Sequence, residues 1–135
     1  MKIVFFDVKD WELPVIQVLS SYENISVISY DSPIDIEKIP PDTKIISTSR
    51  LYPRIDRLII DRTKDLKLIA TRTSGIDHID ADYAKAKGIV LSNVPDYSSI
   101  AAAEYTFSLI LSAMRKLKKI LFNISRGDFR REGHF

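Results

Sequence analysis

The sequence predicts an α/β protein built on a parallel five-stranded β-sheet. Short segments rich in isoleucine and valine recur along the chain, and they are apolar on both faces, as in a sheet covered on both sides. Segments with helical spacing alternate with them, which is the pattern of parallel strands joined by helical crossovers. The 135 residues, of which 45% are hydrophobic and 28% are charged, suffice for one domain with a core.

Five strands and four helices are predicted in alternation. The strands are residues 2–6, 25–30, 44–48, 66–70 and 89–91. The spacing of apolar residues predicts helices over residues 11–21, 53–61, 81–87 and 99–124, with a further short helix between Pro33 and Pro40. Right-handed crossovers and a domain of this size favour the flavodoxin-like strand order 2-1-3-4-5.

End signals support the last two predicted helices. Asp80 is an expected N-cap, because its carboxylate can accept a hydrogen bond from a free amide of the first turn. Gly88 is expected just past the last turn of the same helix, where a left-handed residue commonly follows. Ser98 or Ser99 is expected to cap the helix that follows.

The helix predicted over residues 99–124 is too long for a domain of this size and is apolar on more than one face. Such a helix packs against something outside its own domain, either a second domain or a second subunit. The predicted organisation is a sheet domain over residues 1–98, this interdomain or dimerisation helix, and a flexible tail over residues 125–135.

Composition excludes several functional classes. The net charge is only +2 and most Lys and Arg residues are dispersed, so we expect no nucleic-acid partner. The chain has no cysteine, and its two histidines, His78 and His134, are far apart, so we expect no metal site. We recognise neither a signal peptide nor a membrane-length apolar run, and therefore expect a cytoplasmic protein without a membrane partner.

The candidate functional site is the polar turn after the fourth predicted strand, residues 71–80. Ligands of open α/β sheets bind outside the carboxyl ends of the strands. Gly75 in this turn lets a ligand approach the main chain, and the successive amides around Ser74 and Gly75 can bind an anion. The structural alternative is that Gly75 is needed only for its backbone angles.

Three polar residues near this turn have a structural interpretation first. Arg72 is a possible partner of a carboxylate substrate, but an ion pair with Asp77 or Asp80 is favoured. His78 is expected at the entry of a helix, hydrogen-bonded to the backbone, and not as a catalyst. Asn93 is expected to satisfy backbone groups of its own loop.

Together these patterns resemble the N-terminal part of the D-isomer-specific 2-hydroxyacid dehydrogenases. Order and spacing fit over residues 66–115. The resemblance rests on residues 66–69, 72–80, 87–90, 93–98 and 103–106, followed by the long helix as far as Arg115. Tyr97, which follows an Asn-Val-Pro-Asp sequence, resembles the D-lactate dehydrogenase branch of this family.

The resemblance implies a set of substrate-binding residues. Backbone amides of the turn at Ser74 and Gly75 would bind the carboxylate of a small 2-oxo or 2-hydroxy acid. Tyr97 would point into the same cleft, and Leu51 and Tyr52, which follow the third strand, would line it. The flavodoxin-like fold of the family's substrate domain agrees with the strand order predicted above.

The resemblance also implies a complete enzyme in which a separate Rossmann domain binds NAD, with Ala102 near the nicotinamide. The sequence departs from the family here, because it contains no G-x-G-x-x-G loop. The family's catalytic Arg, Glu and His belong to the half that this chain lacks, so no residue is assigned a catalytic role. We expect the chain to be the substrate-binding portion and inactive by itself.

Two other functional classes compete with this interpretation. A stand-alone module that binds small carboxylates, or another protein through its long helix, would use the same turn. A phospho-accepting receiver shares the sheet order but needs an Asp after the third strand and a Lys after the fifth. Residues 48–50 are Thr-Ser-Arg and residues 92–93 are Ser-Asn, so this class is disfavoured. The apolar faces of the helix predicted over residues 99–124 also lead us to expect a homodimer that forms through this helix.

Overall fold

The computed structural model describes residues 1–130, and the chain divides into two compact units, Met1–Pro95 and Asp96–Phe135. The first unit contains one parallel sheet. Its strands are β1 (Lys2–Phe5), β2 (Ser26–Ser29), β3 (Ile45–Thr48), β4 (Leu68–Thr71) and β5 (Val90–Ser92), in the order β2-β1-β3-β4-β5. The predicted fold class and strand order are therefore confirmed.

The helices of the first unit are shorter than predicted. They are α1 (Leu13–Leu19), a 3-10 turn (Ile36–Lys38), α2 (Arg57–Arg62) and α3 (Ala81–Ala86). Helix α2 begins after Asp56, whose carboxylate accepts a hydrogen bond from the Ile59 amide at 3.2 Å. Asp80 caps α3 as predicted, accepting from the Tyr83 amide at 3.2 Å. Gly88 follows α3 with a left-handed φ of +74°, also as predicted.

The core of the first unit lies on both faces of the sheet. Val4, Ile46 and Ile69, on the three central strands, have no exposed surface. Ile59 and Ile60 of α2 and the residues leading into α2 and α3 pack against the same cluster. Burial on both faces is the physical reason that these strands read as continuous apolar runs.

The second unit contains two helices, α4 (Ser99–Met114) and α5 (Leu117–Ser125), so the prediction of one continuous helix is wrong. Lys116 has a left-handed backbone with φ of 52°, which ends the helical ladder. The sequence concealed this break because the apolar spacing continues through it, from Met114 to Leu117 and Leu121.

Ser98 occupies the N-cap position of α4, but its side chain makes no capping hydrogen bond. The Ser99 hydroxyl instead donates to Asp96 at 3.1 Å. Of the predicted flexible tail, residues 131–135 lie outside the described residues. Over residues 1–130, none of the helices has the length and apolar character needed to cross a membrane.

Candidate functional site

The candidate site lies where β4 ends at Thr71 and the chain turns towards α3. Two backbone hydrogen bonds join the segment before α2 to this turn. The Ile55 amide donates to the His78 carbonyl at 2.9 Å, and the Asp80 amide donates to the Ile55 carbonyl at 3.0 Å. Residues 51–55 and residues 74–80, which are separated in sequence, therefore lie side by side at the carboxyl edge of the sheet.

The carbonyl groups of residues 74–76 are all hydrogen-bonded within the protein. The Asn93 side-chain amide donates to the Ser74 carbonyl at 2.6 Å. The Thr73 hydroxyl donates to the Gly75 carbonyl at 2.7 Å. The Ile76 carbonyl accepts from the Ile79 amide at 2.9 Å. We call residues 74–77, with these bonds, the amide turn.

The amide groups of the same turn have no acceptor. Within residues 1–130, the N–H groups of Gly75, Ile76 and Asp77 donate no hydrogen bond to the protein. Ser74 is exposed and Gly75 is half-buried, so this stretch of main chain is open to small molecules. Successive unpaired amides at such a turn form an arrangement that can bind an anion.

Gly75 is not required here by its backbone angles. Its φ lies outside the left-handed region, unlike that of Gly88. An added Cβ would stand 3.1 Å from the Asp77 carboxylate, which is the end of an exposed side chain and able to move. The structural alternative, a glycine needed only for a left-handed turn, therefore has no support from the geometry.

A pocket of about 220 Å³ adjoins the amide turn. It is lined by Leu51, Tyr52, Arg54, Asp77 and His78. This volume is several times the space of about 30 Å³ that a water molecule takes up in the liquid, so the pocket is large enough for a small organic acid. Leu51 and Tyr52, predicted to line a substrate cleft, thus share a pocket with two residues of the turn segment, although their binding role stays a prediction.

His78 is buried, with 3% of its surface exposed. Its Nε2 lies 3.2 Å from the Thr71 hydroxyl, whereas Nδ1 has no hydrogen-bond partner within residues 1–130. The predicted bond of this side chain to the backbone is therefore wrong. Burial lowers the pKa of the imidazole below its ordinary value, because the charged form loses hydration; Asp77 acts in the opposite direction and Arg54 in the same one.

The Arg72 side chain makes several hydrogen bonds within the protein. Its Nε donates to the Glu12 carboxylate at 2.9 Å, one Nη to the Ser47 hydroxyl at 2.9 Å and the other Nη to the Phe6 carbonyl at 2.8 Å. We call these four residues the Arg72 cluster. The guanidinium joins the carboxyl ends of three neighbouring strands, and each of its three nitrogens donates a hydrogen bond to the protein.

The favoured structural role of Arg72 is confirmed, but the predicted partners are wrong. Arg72 pairs with Glu12, which is distant in sequence, and not with Asp77 or Asp80. Asp80 instead pairs with Arg57 at 3.1 Å, and this hydrogen bond, more than any other contact, lowers the pKa of the Asp80 carboxyl. Sequence proximity suggested the partners, whereas the adjacency of strand ends decides them.

Asn93 donates a hydrogen bond to the Ser74 carbonyl of the amide turn, so the prediction that it satisfies backbone groups of its own loop is wrong. β4 and β5 are parallel neighbours, so the residues that follow them meet at one edge. Tyr97 and Ala102 belong to the second unit, Tyr97 before α4 with 65% of its surface exposed and Ala102 in the first turn of α4. Their predicted roles beside substrate and nicotinamide stay predictions.

Sequence reasoning missed two residues of this site. Thr73 holds the Gly75 carbonyl, and the run of hydroxyl residues around it is a local signal for such side-chain-to-backbone bonds. Arg54 brings a cation to the pocket, and no ion pair or hydrogen bond engages its side chain within residues 1–130. Nothing in the local pattern distinguished it from the other dispersed arginines.

The strand order and the position of the site define the first unit as a flavodoxin-like α/β domain with its candidate site at the carboxyl edge of the sheet. The sequence matches the family described as D-isomer specific 2-hydroxyacid dehydrogenase, catalytic domain, over residues 3–126. The chain belongs to this family, and the resemblance inferred from its motifs is confirmed.

Individual relatives agree with this assignment. The D-lactate dehydrogenase of Streptococcus agalactiae is 29% identical over 133 residues, which cover 96% of this chain and 40% of that protein. The D-3-phosphoglycerate dehydrogenase of Methanocaldococcus jannaschii is 37% identical over 79 residues, which cover 58% of this chain and 15% of that protein.

A solved structure is also similar. The D-lactate dehydrogenase from Aquifex aeolicus, complexed with NAD and lactic acid, has a TM-score of 0.83 and 31% identity, covering 97% of this chain and 39% of that one. The chain therefore spans about 40% of the length of the D-lactate dehydrogenases that it matches.

Proposed function

We propose that this chain is the substrate-binding portion of an NAD-dependent D-2-hydroxyacid dehydrogenase that resembles D-lactate dehydrogenase and reduces 2-oxo acids to D-2-hydroxy acids. The observation that carries the proposal is the amide turn. Three successive N–H groups, at Gly75, Ile76 and Asp77, have no protein acceptor within residues 1–130, and Asp77 also lines a pocket of about 220 Å³ at the carboxyl edge of the sheet. They suit the carboxylate of a small acid.

The chemistry of binding follows from the residues around the pocket. Hydrogen bonds from neutral amides to a carboxylate are charge-assisted and are stronger than bonds between neutral groups. Arg54 adds positive charge at the pocket, and Leu51 and Tyr52 offer apolar surface to the carbon chain of the acid. Tyr97 is proposed as a further substrate contact in the complete enzyme.

The cofactor belongs to the rest of the proposed enzyme. The glycines of this chain, at positions 75, 88, 127 and 133, fit no G-x-G-x-x-G turn, so we expect that these residues alone do not bind a dinucleotide well. Ala102 is proposed to lie near the nicotinamide of NAD when a Rossmann domain supplies the site. A cytoplasmic location is part of the same proposal.

The chain itself is expected to be inactive. Reduction of a 2-oxo acid needs a cation that polarises the carbonyl and an acid–base group beside the reacting carbon. Arg72 is occupied within its cluster, and His78 is buried. Incubation of residues 1–135 with pyruvate and NADH should therefore give no loss of absorbance, and a clear rate would contradict this expectation.

A glycine-selective NMR titration tests the binding proposal directly. The chain has four glycines, so labelling with ¹⁵N-glycine gives four main-chain signals. Addition of pyruvate should shift the Gly75 signal, whereas those of Gly88 and Gly127 should stay. Methyl pyruvate, which lacks the carboxylate, is the matched control. No shift of Gly75, or equal shifts with both compounds, would contradict the proposal.

We also propose that the helices of the second unit form a homodimer interface within residues 99–124. Large apolar side chains there are exposed, with exposed fractions of 77% for Ile100, 66% for Phe107 and 72% for Met114. Exposed apolar patches of this kind mark association surfaces.

A stand-alone module that binds a carboxylate or another protein is the alternative function. The residues that follow Phe135 in the encoded protein would distinguish it from an enzyme portion.

A further inference from the structure

The bonded carbonyls of the amide turn bear on the direction of its free N–H groups. A peptide group is planar and, when trans, its C=O and N–H point in opposite directions. Within residues 1–130 the only cis peptide bond is Tyr52–Pro53. The carbonyl of Ser74 and the amide of Gly75 share one trans peptide, and the carbonyl of Gly75 and the amide of Ile76 share the next.

We infer that Asn93 and Thr73 are positioning residues for the anion-binding amides. By holding the Ser74 carbonyl, Asn93 fixes the direction of the Gly75 N–H on the opposite side of that peptide. By holding the Gly75 carbonyl, Thr73 does the same for the Ile76 N–H. Neither side chain need touch the substrate. This inference rests on the proposed function of the amide turn.

The support for Thr73 extends into the core. Its hydroxyl lies 2.5 Å from the Thr71 hydroxyl, which lies 3.2 Å from Nε2 of His78. Since a carbonyl only accepts, the single Thr73 proton goes to Gly75, and the Thr71 proton must go to Thr73. Thr71 can then only accept from His78. The chain of bonds thus assigns the Nε2–H tautomer to His78 and anchors the turn on a buried ring.

Preorganisation explains why such anchoring matters for binding. A free loop loses conformational entropy when it orders around a ligand, and a turn that is already held avoids most of that cost. The three anchors come from different places: Asn93 follows β5, Thr73 follows β4, and His78 lies before α3. Loss of one anchor should weaken carboxylate binding without unfolding the domain.

The experiment compares four variants of the 135-residue chain, with pyruvate as the ligand. Asn93→Ala removes one anchor, and Ser92→Ala is its control, since Ser92 is exposed and its side chain makes no hydrogen bond to the turn within residues 1–130. Thr73→Val removes the hydroxyl at constant shape, and Thr73→Ser restores it. We expect Asn93→Ala and Thr73→Val to raise the Kd for pyruvate roughly three- to tenfold, and both controls to leave it unchanged.

Residual dipolar couplings give a readout that does not depend on the ligand. In the free protein, the N–H coupling of Gly75 should change in Asn93→Ala, and that of Ile76 should change in Thr73→Val. If these couplings are unchanged, the positioning inference is overturned, whether or not pyruvate binds. If the parent chain fails to bind pyruvate while the couplings respond, the proposed function fails and the orientation of the turn by Asn93 and Thr73 stands.

Imidazole ¹⁵N spectra test the deeper part of the chain of bonds. The parent protein at neutral pH should show His78 with the proton on Nε2. Thr73→Val frees the Thr71 proton to turn towards His78, so the tautomer preference should weaken, and Thr73→Ser should restore it. A parent His78 with its proton on Nδ1 would overturn the assigned direction of the hydrogen bonds.

Discussion

The Arg72 cluster and the amide turn follow the same strand, and both were candidates for binding a carboxylate. In the cluster, a full positive charge is present, but its donors already bind Glu12, Ser47 and Phe6. In the turn, no positive charge is present and Asp77 carries a negative one, yet three backbone N–H donors have no protein acceptor within residues 1–130. The availability of donors, and not formal charge, distinguishes the proposed binding site from a structural bond at this edge.

The Arg72 cluster stabilises the fold, whereas the amide turn leaves its N–H groups accessible. The Arg72 side chain is 23% exposed and that of Glu12 is 13% exposed, so the pair is largely removed from water and connects three strand ends. The turn, by contrast, is exposed at Ser74 and is held by hydrogen bonds to its carbonyls and by the packing of Ile76 against the core. Substitutions in the cluster should therefore reduce stability, and those in the turn should reduce binding.

The largest effect should come from Arg72→Met. This change removes the Arg72 donor from the Phe6 carbonyl and from the Glu12 carboxylate, which keeps only its bond from the Lys9 amide. Both acceptors lie in a largely buried place, so we expect a loss of about 2–3 kcal/mol in the free energy of unfolding. Urea denaturation of residues 1–135 measures it. At temperatures where the variant is folded, pyruvate should still shift the Gly75 amide.

Arg57→Met is the matched control. Arg57 pairs with Asp80 at 3.1 Å, but its side chain is 70% exposed, so the loss should stay below about 1 kcal/mol. Equal losses in the two variants would remove the distinction between the cluster and an ordinary surface pair. A loss of pyruvate binding in folded Arg72→Met would make Arg72 a ligand after all.

The pH dependence of the free energy of unfolding should reveal the titration of His78, the buried residue that anchors the amide turn. Burial lowers the pKa of His78 in the folded protein, so between that pKa and the ordinary value near 6.5 the unfolded chain binds more protons. The free energy of unfolding should therefore fall as the pH decreases below about 6.5, and the fall should continue until the pH passes below the folded pKa.

His78→Gln isolates this contribution. Glutamine can donate to Thr71 from a similar position but does not titrate, so the decrease in stability that belongs to this site should disappear. Denaturation curves between pH 5 and 8 measure the difference between the two proteins. An identical pH dependence in both would show that His78 exchanges protons equally in the folded and unfolded states.

Much of the fold was predictable because it depends on short-range signals. A few adjacent residues suffice to predict a buried strand such as β3, or a helix end such as those at Asp80 and Gly88. The break at Lys116 was not predictable, because the apolar spacing continues across it and a left-handed lysine has no sequence signature.

The candidate site was chosen from the sequence by its position, and that choice stays a prediction, whereas the hydrogen-bond partners of its residues could not be chosen in this way. The rule that ligands bind at the carboxyl edge identified the turn at Ser74 and Gly75. The partners of Arg72 and Asn93 depend on which strand ends are neighbours, and this follows from the strand order and not from distance along the chain. Once the order 2-1-3-4-5 is accepted, the proximity of Asn93 to the turn could have been deduced.

The smallest effect on stability should come from Gly75→Ala, which is also the sharpest test of the comparison. Gly75 has no left-handed φ, and its added Cβ would meet only the mobile Asp77 carboxylate at 3.1 Å, so we expect a change within about 0.5 kcal/mol. Gly88→Ala, at φ of +74°, should cost about 1 kcal/mol or more. For pyruvate binding the order should reverse, because only the Cβ at position 75 obstructs the open amides. Chemical denaturation and NMR titration of both variants measure the two quantities, and a Gly75→Ala protein with unchanged pyruvate affinity would mean that the ligand does not approach the main chain there.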